Sequence, residues 1–353
     1  MDTSDSNTSA IDQVSISIII CTRNRAESLR ITLEHLAAAN RAGLTAEVIV
    51  VDNCGADHAR DVSAAFADRI ALRYLYEPTQ GVYGKSHALN RALSEANLGS
   101  IVAVLDDDIS VRADWLQAVA AICRRWPHAD FFTGDTVVVW PNVPIPRWAT
   151  SPAIRSGVLS CVEWGERDRV LRDGQWFPGG HFWFRSRVLA SGRRFRDIWL
   201  TEPDFQLDLL ENGCSGIASG EAVAGHRIQP QLLEPGVVLD RARLAAQIAW
   251  LRLRPFRRYV PQAVRFNRHP LLARAVCVLN YLRWRLVYGV SSFAYSTRLR
   301  RGFPLRVLAL ERMGIAREYL RAARGVKQYA CRRSRSAAEG STPRPSVSGF
   351  RAA

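Results

Sequence analysis

Three adjacent carboxylates, Asp106, Asp107 and Asp108, are the residues of this sequence most suited to chemistry. They follow the apolar run 101–105, whose residues are typical of a strand that is buried on both faces. Because side chains alternate along a strand, we expect Asp106 and Asp108 to point to one side and Asp107 to the other. Carboxylates this close repel each other unless a cation neutralises them, and oxygen ligands suit Mg²⁺ or Mn²⁺. The alternative is an acidic turn that caps the next helix.

A parallel sheet is predicted to hold this triplet at one edge. Apolar or alternating runs predict four strands, at 16–20, 48–51, 72–76 and 101–105. The segments between them predict helices, near 29–43, 57–67 and 86–97. Strands that alternate with helices form a doubly wound α/β sheet with right-handed crossovers. Ligands bind such sheets at the carboxyl ends of the strands, which is where the triplet lies.

The loop after the first predicted strand excludes two common nucleotide-binding classes. Residues 21–25, Cys-Thr-Arg-Asn-Arg, contain no glycine, and the chain has no Walker A sequence. The sequence therefore disfavours a hydride-transferring dehydrogenase and a P-loop NTPase.

Four segments, taken in order, resemble the family 2 glycosyltransferases, which have the GT-A fold. They are residues 18–25, 48–53, 81–90 and 105–108, and the resemblance runs from about Ser15 to His226. It implies an inverting transfer of a sugar from a nucleotide-diphosphate sugar to a hydroxyl acceptor, with Mg²⁺ or Mn²⁺ as the cofactor.

The same resemblance implies which residues hold the donor. The donor-binding residues that it implies are Thr22, Arg23, Asp52, Asn90 and Asp106. Asp52 could instead be an ordinary turn residue, and Arg23 a surface charge. The family usually has Ala-Arg-Asn where this chain has Ala-Leu-Asn at 88–90, so either Lys85 or His87 is left to supply the positive charge near the phosphates.

A base and a metal site are also implied. The family often has Glu-Asp before the helix that ends near Gly213, with the Asp as general base. Counting back from Gly213 places Glu202 in that position, and Asp204 is the competing candidate. Both could instead be acids that favour the first turn of a helix.

The metal ligands implied are Asp106, Asp108 and His226. The family often keeps a histidine at the end of the last core strand, which is predicted here at 222–226. A neutral imidazole could complete the site with Asp108. A lone histidine can also have a purely structural role.

Charge divides the chain into two parts. Residues 1–240 carry a net charge of −7, whereas residues 241–335 carry +21, with only Glu311 and Glu318 opposing 23 basic residues. We expect a disordered N-terminus (1–12), a GT-A catalytic domain (13–235), a basic, mainly helical region (236–333) and a disordered tail (334–353). Such asymmetry suggests a polyanionic partner.

The apolar stretch 271–295 predicts how the basic region meets that partner. Arg274, Arg283 and Arg285 interrupt this stretch, so each of its charge-free segments is too short to span a bilayer. Tyr281, Trp284 and Tyr288 share one helix face and could lie at a membrane interface. The alternative is an ordinary helical subdomain.

The sequence therefore predicts a cytoplasmic enzyme, peripheral on the inner face of the cell membrane, that acts on a glycan or lipid-linked acceptor in surface polysaccharide synthesis. The polar N-terminus does not resemble a signal peptide, and the seven cysteines include no CxxC pair. A second hypothesis is a nucleic-acid-binding protein that acts through its basic half. We expect no nucleic-acid partner, because no DNA- or RNA-binding motif occurs there and the carboxylates would have no role.

Overall fold

The computed structural model describes residues 14–81, 84–172, 178–198, 200–252, 270–296 and 302–323. The chain divides into two compact units between Val238 and Leu239. The termini expected to be disordered, 1–12 and 334–353, lie outside the described residues. The domain boundary expected at residue 235 stays a prediction.

A mixed nine-stranded sheet forms the first unit. In chain order its strands are β1 (Ser15–Thr22), β2 (Thr45–Asn53), β3 (Ala71–Glu77), β4 (Ile101–Asp106), β5 (Ile109–Val111), β6 (Phe131–Val139), β7 (Arg169–Val170), β8 (His181–Arg185) and β9 (Gly216–Arg227). They are arranged β3-β2-β1-β4-β8-β6-β9-β5, with β7 paired to β9. The four strands predicted from the sequence are mutually parallel, whereas β8 runs antiparallel to β4 and β6. The predicted α/β class is confirmed.

Helices connect and flank these strands. They are α1 (Ala26–Ala38), α2 (Ala59–Ala64), α3 (Ser86–Leu93), α4 (Trp115–Arg125), α5 (Pro152–Gly157), α6 (Thr201–Glu211), α7 (Pro235–Arg252), α8 (Pro270–Ser296) and α9 (Gly302–Ala323). Helix α3 ends four residues before its predicted end at Asn97. The Ser94 side chain explains this end, because its hydroxyl donates to the Asn90 carbonyl oxygen at 2.9 Å and satisfies a terminal carbonyl.

The core lies on both faces of the sheet because β1, β2 and β4 are apolar at every central position. In β1, Ile18 and Ile20 belong to the cluster that includes α1 and α4, whereas Ile19 belongs to the opposite cluster, which includes α3. This alternation fixes the register of the central strands and therefore the position of the loops that follow them.

In the second unit, helices α8 and α9 pack against each other. The Tyr288 hydroxyl accepts a hydrogen bond from Arg306 Nη2 at 3.2 Å, and Cys277 and Ser291 on the same face of α8 are buried. Tyr281 and Trp284 share that face by helical spacing and are half-buried. The helix face that carries these aromatic residues is the one that packs on α9, and their docking on a membrane stays a prediction. Across the described part of the chain, no helix combines the length and hydropathy needed to cross a bilayer.

Candidate active site

The three consecutive aspartates do not follow the alternation expected from the sequence. Strand β4 ends at Asp106, and Asp107 and Asp108 lie in the tight turn that leads to β5. As a result, Asp107 and Asp108 share one cation. Arg25 Nη1 lies 2.9 Å from Asp107 Oδ1, and Arg25 Nη2 lies 2.7 Å from Asp108 Oδ2.

Asp107 ties this turn to the first strand and helix. Its Oδ2 accepts a hydrogen bond from the Thr22 hydroxyl at 2.8 Å, and its backbone carbonyl accepts one from Thr32 at 2.7 Å. Burial raises the pKa of Asp107 to about 7, although Arg25 opposes the shift. Thr22 therefore positions the acidic turn from the end of β1.

Asp108 and His226 meet at the end of β9. His226 Nε2 lies 3.4 Å from Asp108 Oδ2, and the other ring nitrogen, Nδ1, is 2.8 Å from the Leu159 carbonyl oxygen. Burial alone would raise the pKa of Asp108, but His226 and Arg25 hold it well below its usual range. The Asp108 carboxylate in turn raises the pKa of His226 well above its ordinary value, against the effect of burial.

The fit of these residues to a divalent cation is partial. Within the residues described, no group of three or more His, Cys, Asp or Glu side chains is arranged to hold a metal ion, so the expected set of Asp106, Asp108 and His226 is not assembled. Asp108 still suits a cation, because its Oδ1 is buried without any hydrogen-bond partner. His226 could join it as a second ligand only as a neutral imidazole, after losing the proton that it holds toward Asp108. Mg²⁺ commonly takes one or two protein ligands and completes its shell with water and substrate phosphates.

Asp106 is instead held by Lys85, at the start of α3. The Lys85 ammonium forms ion pairs with both Asp106 and Glu202. Burial alone would lower the pKa of Lys85, but the two carboxylates raise it well above its ordinary value. His87 lies outside this cluster, with a side chain that is 40% exposed and 3.9 Å from Asp197. Between the two residues left open by the sequence, the structure places Lys85 beside the carboxylates.

Two glycines allow these carboxylates to lie against the loop before β8. A Cβ atom on Gly180 would stand 2.3 Å from Asp106 Oδ2, and one on Gly179 would stand 3.1 Å from the Glu202 Cβ. Gly180 also accepts a hydrogen bond from the Asp106 backbone N–H at 3.1 Å. Only a residue without a side chain fits at position 180, which explains the Gly-Gly pair.

The two acids at the start of α6 have different surroundings. Leu200, the residue before the helix, has a positive φ of 60°, a strained value for a non-glycine residue. Glu202 follows two residues later and pairs with Lys85. Asp204 is buried and receives two hydrogen bonds of 2.7 Å from the Arg196 guanidinium.

The remaining predicted donor residues lie at the ends of β1 and β2 and on α3. Asp52 is buried, and its carboxylate accepts hydrogen bonds from the Gly55 backbone and the Tyr74 hydroxyl, both at 2.8 Å. Arg23 is exposed and within reach of the Gln80 side-chain amide.

Asn90 binds backbone groups in this structure, and its assignment to the donor stays a prediction. Its amide donates to the Phe195 carbonyl at 2.8 Å and accepts from the Phe195 N–H at 2.9 Å. Asn90 therefore clamps the chain at Phe195, because both polar atoms of its side chain already have backbone partners.

Sequence reasoning missed Arg25 and the Leu159 carbonyl. Arg25 stands two residues from Arg23 in the same polar loop, and nothing local tells which of the two turns inward. Leu159 and His226 are 67 residues apart in the chain, so only the folded structure shows that they are in contact.

The sequence that builds this site matches a known family. Residues 17–190 match the family model described as glycosyl transferase family 2. Over 126 residues the chain is 28% identical to the putative teichuronic acid biosynthesis glycosyltransferase TuaG of Bacillus subtilis (strain 168), a match that covers 33% of this chain and 48% of the relative. The chain thus spans about half the length of that curated relative.

A solved structure with a TM-score above 0.5 shows the same fold. The mannosyltransferase PcManGT from Pyrobaculum calidifontis, in complex with GDP-Man and Mn²⁺, aligns with a TM-score of 0.54 at 17% identity, over 90% of this chain and 88% of that one. S. aureus TarS 1-349 with UDP aligns with a TM-score of 0.45 at 15% identity, over 89% and 93%. The likeness to the mannosyltransferase agrees with the expected GT-A fold.

Proposed function

Residues 17–190 of this chain match glycosyl transferase family 2, and from that premise we propose that the chain transfers a sugar from a nucleotide-diphosphate sugar to a hydroxyl acceptor with inversion at the anomeric carbon. One observation carries the proposal. Lys85 joins Asp106, from the end of β4, to Glu202, from the start of α6, while Arg25 holds Asp108 beside His226. Acidic and basic groups are thus gathered at the carboxyl edge of a parallel sheet, where such folds bind ligands.

Glu202 is the proposed general base. It would take the proton of the acceptor hydroxyl as that oxygen attacks the anomeric carbon. Asp204 is disfavoured for this role, because its buried carboxylate is engaged by Arg196 in a bidentate pair. Departure of Lys85 from Glu202 toward the diphosphate would free the carboxylate for the acceptor, since the ammonium now neutralises it.

Positive charge is needed where the diphosphate leaves. Lys85 supplies a cation close to this point, and backbone N–H groups after β1 lie at the same edge of the sheet. A divalent cation, Mg²⁺ or Mn²⁺, held by Asp108 and His226, would further neutralise the charge that develops on the leaving group. Asp106 is proposed to orient Lys85 and the donor.

The nucleoside is proposed to lie against Arg23 and Asp52. Arg23 is the exposed cation of the loop after β1, and Asp52 closes β2 beside it in the sheet. Tyr74 and the turn at Gly55 hold the Asp52 carboxylate rigidly, which suits a group that must read one edge of a base.

The acceptor is proposed to be a glycan or a lipid-linked sugar in surface polysaccharide synthesis. The relative from Bacillus subtilis carries a name from teichuronic acid biosynthesis, and the Pyrobaculum neighbour is a complex with a nucleotide sugar and Mn²⁺. A cytoplasmic enzyme using a lipid-linked acceptor would work on the inner face of the cell membrane, and we propose that location for this chain.

The test is a screen of nucleotide sugars for release of the nucleoside diphosphate, with Mg²⁺, with Mn²⁺ and with chelator. We expect turnover with one donor class and a large loss with chelator. Failure of every nucleotide sugar, with and without lipid-linked acceptors, would contradict the proposal.

A further inference from the structure

Helix α8 presents a second apolar face, opposite the one that packs on α9. Five large side chains on this face are more than half exposed. They are Leu279 (66%), Leu282 (51%), Leu286 (69%), Val290 (61%) and Phe293 (71%), and we call them the α8 stripe. Steps of three and four residues place all five on one side of the helix. Exposed apolar residues arranged in this way mark an interaction surface.

Basic side chains border the stripe on both sides. At 100° per residue, Arg283 lies on one side of the line from Leu282 to Leu286, and Arg285 lies on the other. Both are exposed, and α8 contains no aspartate or glutamate to oppose them. The long stem of an arginine can run along apolar surface while its guanidinium reaches a layer of phosphates.

We propose that the α8 stripe inserts into the boundary between headgroups and acyl chains of an anionic lipid bilayer, with Arg283 and Arg285 on the lipid phosphates. Helices that lie in this plane combine an apolar face with basic residues beside it, as α8 does. The proposal rests on the proposed function only in locating the acceptor at a membrane. It differs from the expectation drawn from the sequence, because the inserted face is aliphatic and the aromatic face packs on α9.

A second copy of the chain suits this face less well. The stripe runs for 15 residues, so its ends are roughly 21 Å apart along the helix axis. A symmetric contact would also bring the arginines of both copies close together without any acid on α8 between them. Charge therefore favours the bilayer.

The experiment is flotation of the full-length protein with vesicles of phosphatidylcholine that contain increasing phosphatidylglycerol. We expect binding to rise with the anionic fraction and to weaken, without vanishing, as salt is added. The variant Leu282→Gln/Leu286→Gln should lose roughly tenfold or more in partition coefficient for each leucine. Arg283→Gln/Arg285→Gln should weaken the dependence on lipid charge while keeping part of the binding.

Matched controls separate loss of insertion from misfolding and from loss of activity. Val170→Gln replaces a residue that is 56% exposed on β7 of the other unit and should bind as the wild type does. Because the stripe is solvent-exposed, circular dichroism and donor hydrolysis of the leucine variant should match the wild type. Intact donor hydrolysis with lost flotation also separates this inference from the proposed activity.

Three results would overturn the inference. They are wild-type flotation that ignores lipid charge, a leucine variant that floats as well as the wild type, and self-association in sedimentation that the leucine substitutions abolish. The third would assign the stripe to a second copy. A fourth result would also contradict insertion. It is release of the wild type and of the leucine variant from vesicles to the same extent by added DNA.

Discussion

Asp106, Asp107 and Asp108 are consecutive in the chain, yet each carboxylate has different neighbours. Asp106 pairs with Lys85, Asp107 is held by Thr22 and Arg25, and Asp108 faces His226 with one oxygen unpartnered. Burial raises the pKa of Asp107, whereas the cations beside Asp108 lower its pKa. The same side chain can therefore be structural at one position and available to a ligand at the next.

Asp108→Asn tests the cation site. The substitution keeps the size of the side chain but removes the charge, so we expect Mn²⁺ binding and turnover to fall by roughly 10²-fold or more. Calorimetric titration with Mn²⁺ and a nucleotide sugar checks this, with circular dichroism to verify folding. A variant that binds the metal and turns over at nearly the wild-type rate would remove Asp108 from the site.

Glu202→Gln tests the base. Without a carboxylate to accept the proton, kcat should fall by roughly 10²-fold while donor binding is kept. The matched variant is Asp204→Asn, which should mainly lower thermal stability because it breaks the pair with Arg196. The opposite pattern, a stable but inactive Asp204 variant beside an active Glu202 variant, would transfer the role to Asp204.

The loop between β7 and β8 matters because its backbone fills the space beside the carboxylates. The carbonyl of Gly180 accepts the Asp106 N–H, and both glycines lie against acidic side chains. The β8 strand that follows is antiparallel to β4, which brings this loop back to the carboxyl end of β4. The antiparallel strand β8 thus brings the two glycines to the site at the carboxyl ends of the parallel strands.

Gly180→Ala should therefore disturb the site without unfolding the sheet. Its Cβ would stand 2.3 Å from Asp106 Oδ2, so Asp106 must leave Lys85. We expect kcat/KM to fall by more than tenfold. Gly157→Ala is the control, because a Cβ there meets no atom within 4 Å. Equal activity of the two variants would show that the contact with Asp106 is unimportant.

Across the molecule, acidic and basic character is divided between the sheet and the chain that follows it. The first 240 residues carry −7 and the next 95 carry +21, so attraction to an anionic surface is concentrated in the C-terminal part. The stability of the sheet depends instead on apolar burial and on a few buried polar groups. His181 is one of these, since its Nε2 accepts the Trp115 indole N–H at 2.8 Å.

The His181 imidazole predicts how stability depends on pH. Burial lowers its pKa from 6.5 to about 3, so it is neutral in the folded sheet. Below pH 6.5 the unfolded chain binds a proton that the folded chain does not, and stability falls as pH decreases toward 3. Between pH 7 and pH 5, protonation of this group in the unfolded chain alone should lower the free energy of unfolding by about 2 kcal/mol.

Urea unfolding at the two pH values checks the prediction. His181→Gln, which can still accept from Trp115, should reduce the loss between pH 7 and pH 5 by about that amount. An unchanged pH dependence in this variant would show that the neutral His181 imidazole is not the cause of the loss of stability at low pH.

Local patterns in the sequence were enough to predict the parallel half of the sheet. The strands β1, β2 and β4 are nearly continuous apolar runs, β3 alternates between apolar and polar residues, and the Asp triplet follows β4, so their type and order depend on neighbouring residues alone. The charge division follows from the composition of the two parts. The candidate residues Asp108, Glu202 and His226 were named with the help of the resemblance to the family.

The tertiary structure decided which groups meet. Lys85 pairs with Asp106 and Glu202, and Arg25 pairs with Asp107 and Asp108. These partners are 21 to 117 residues apart in the chain, so no local sequence pattern predicts the pairs. Helix α8 shows the same limit, because it is apolar on two opposite faces and periodicity could not tell which one α9 covers. Contacts between distant segments depend on how the whole chain packs, and packing is a property of the fold.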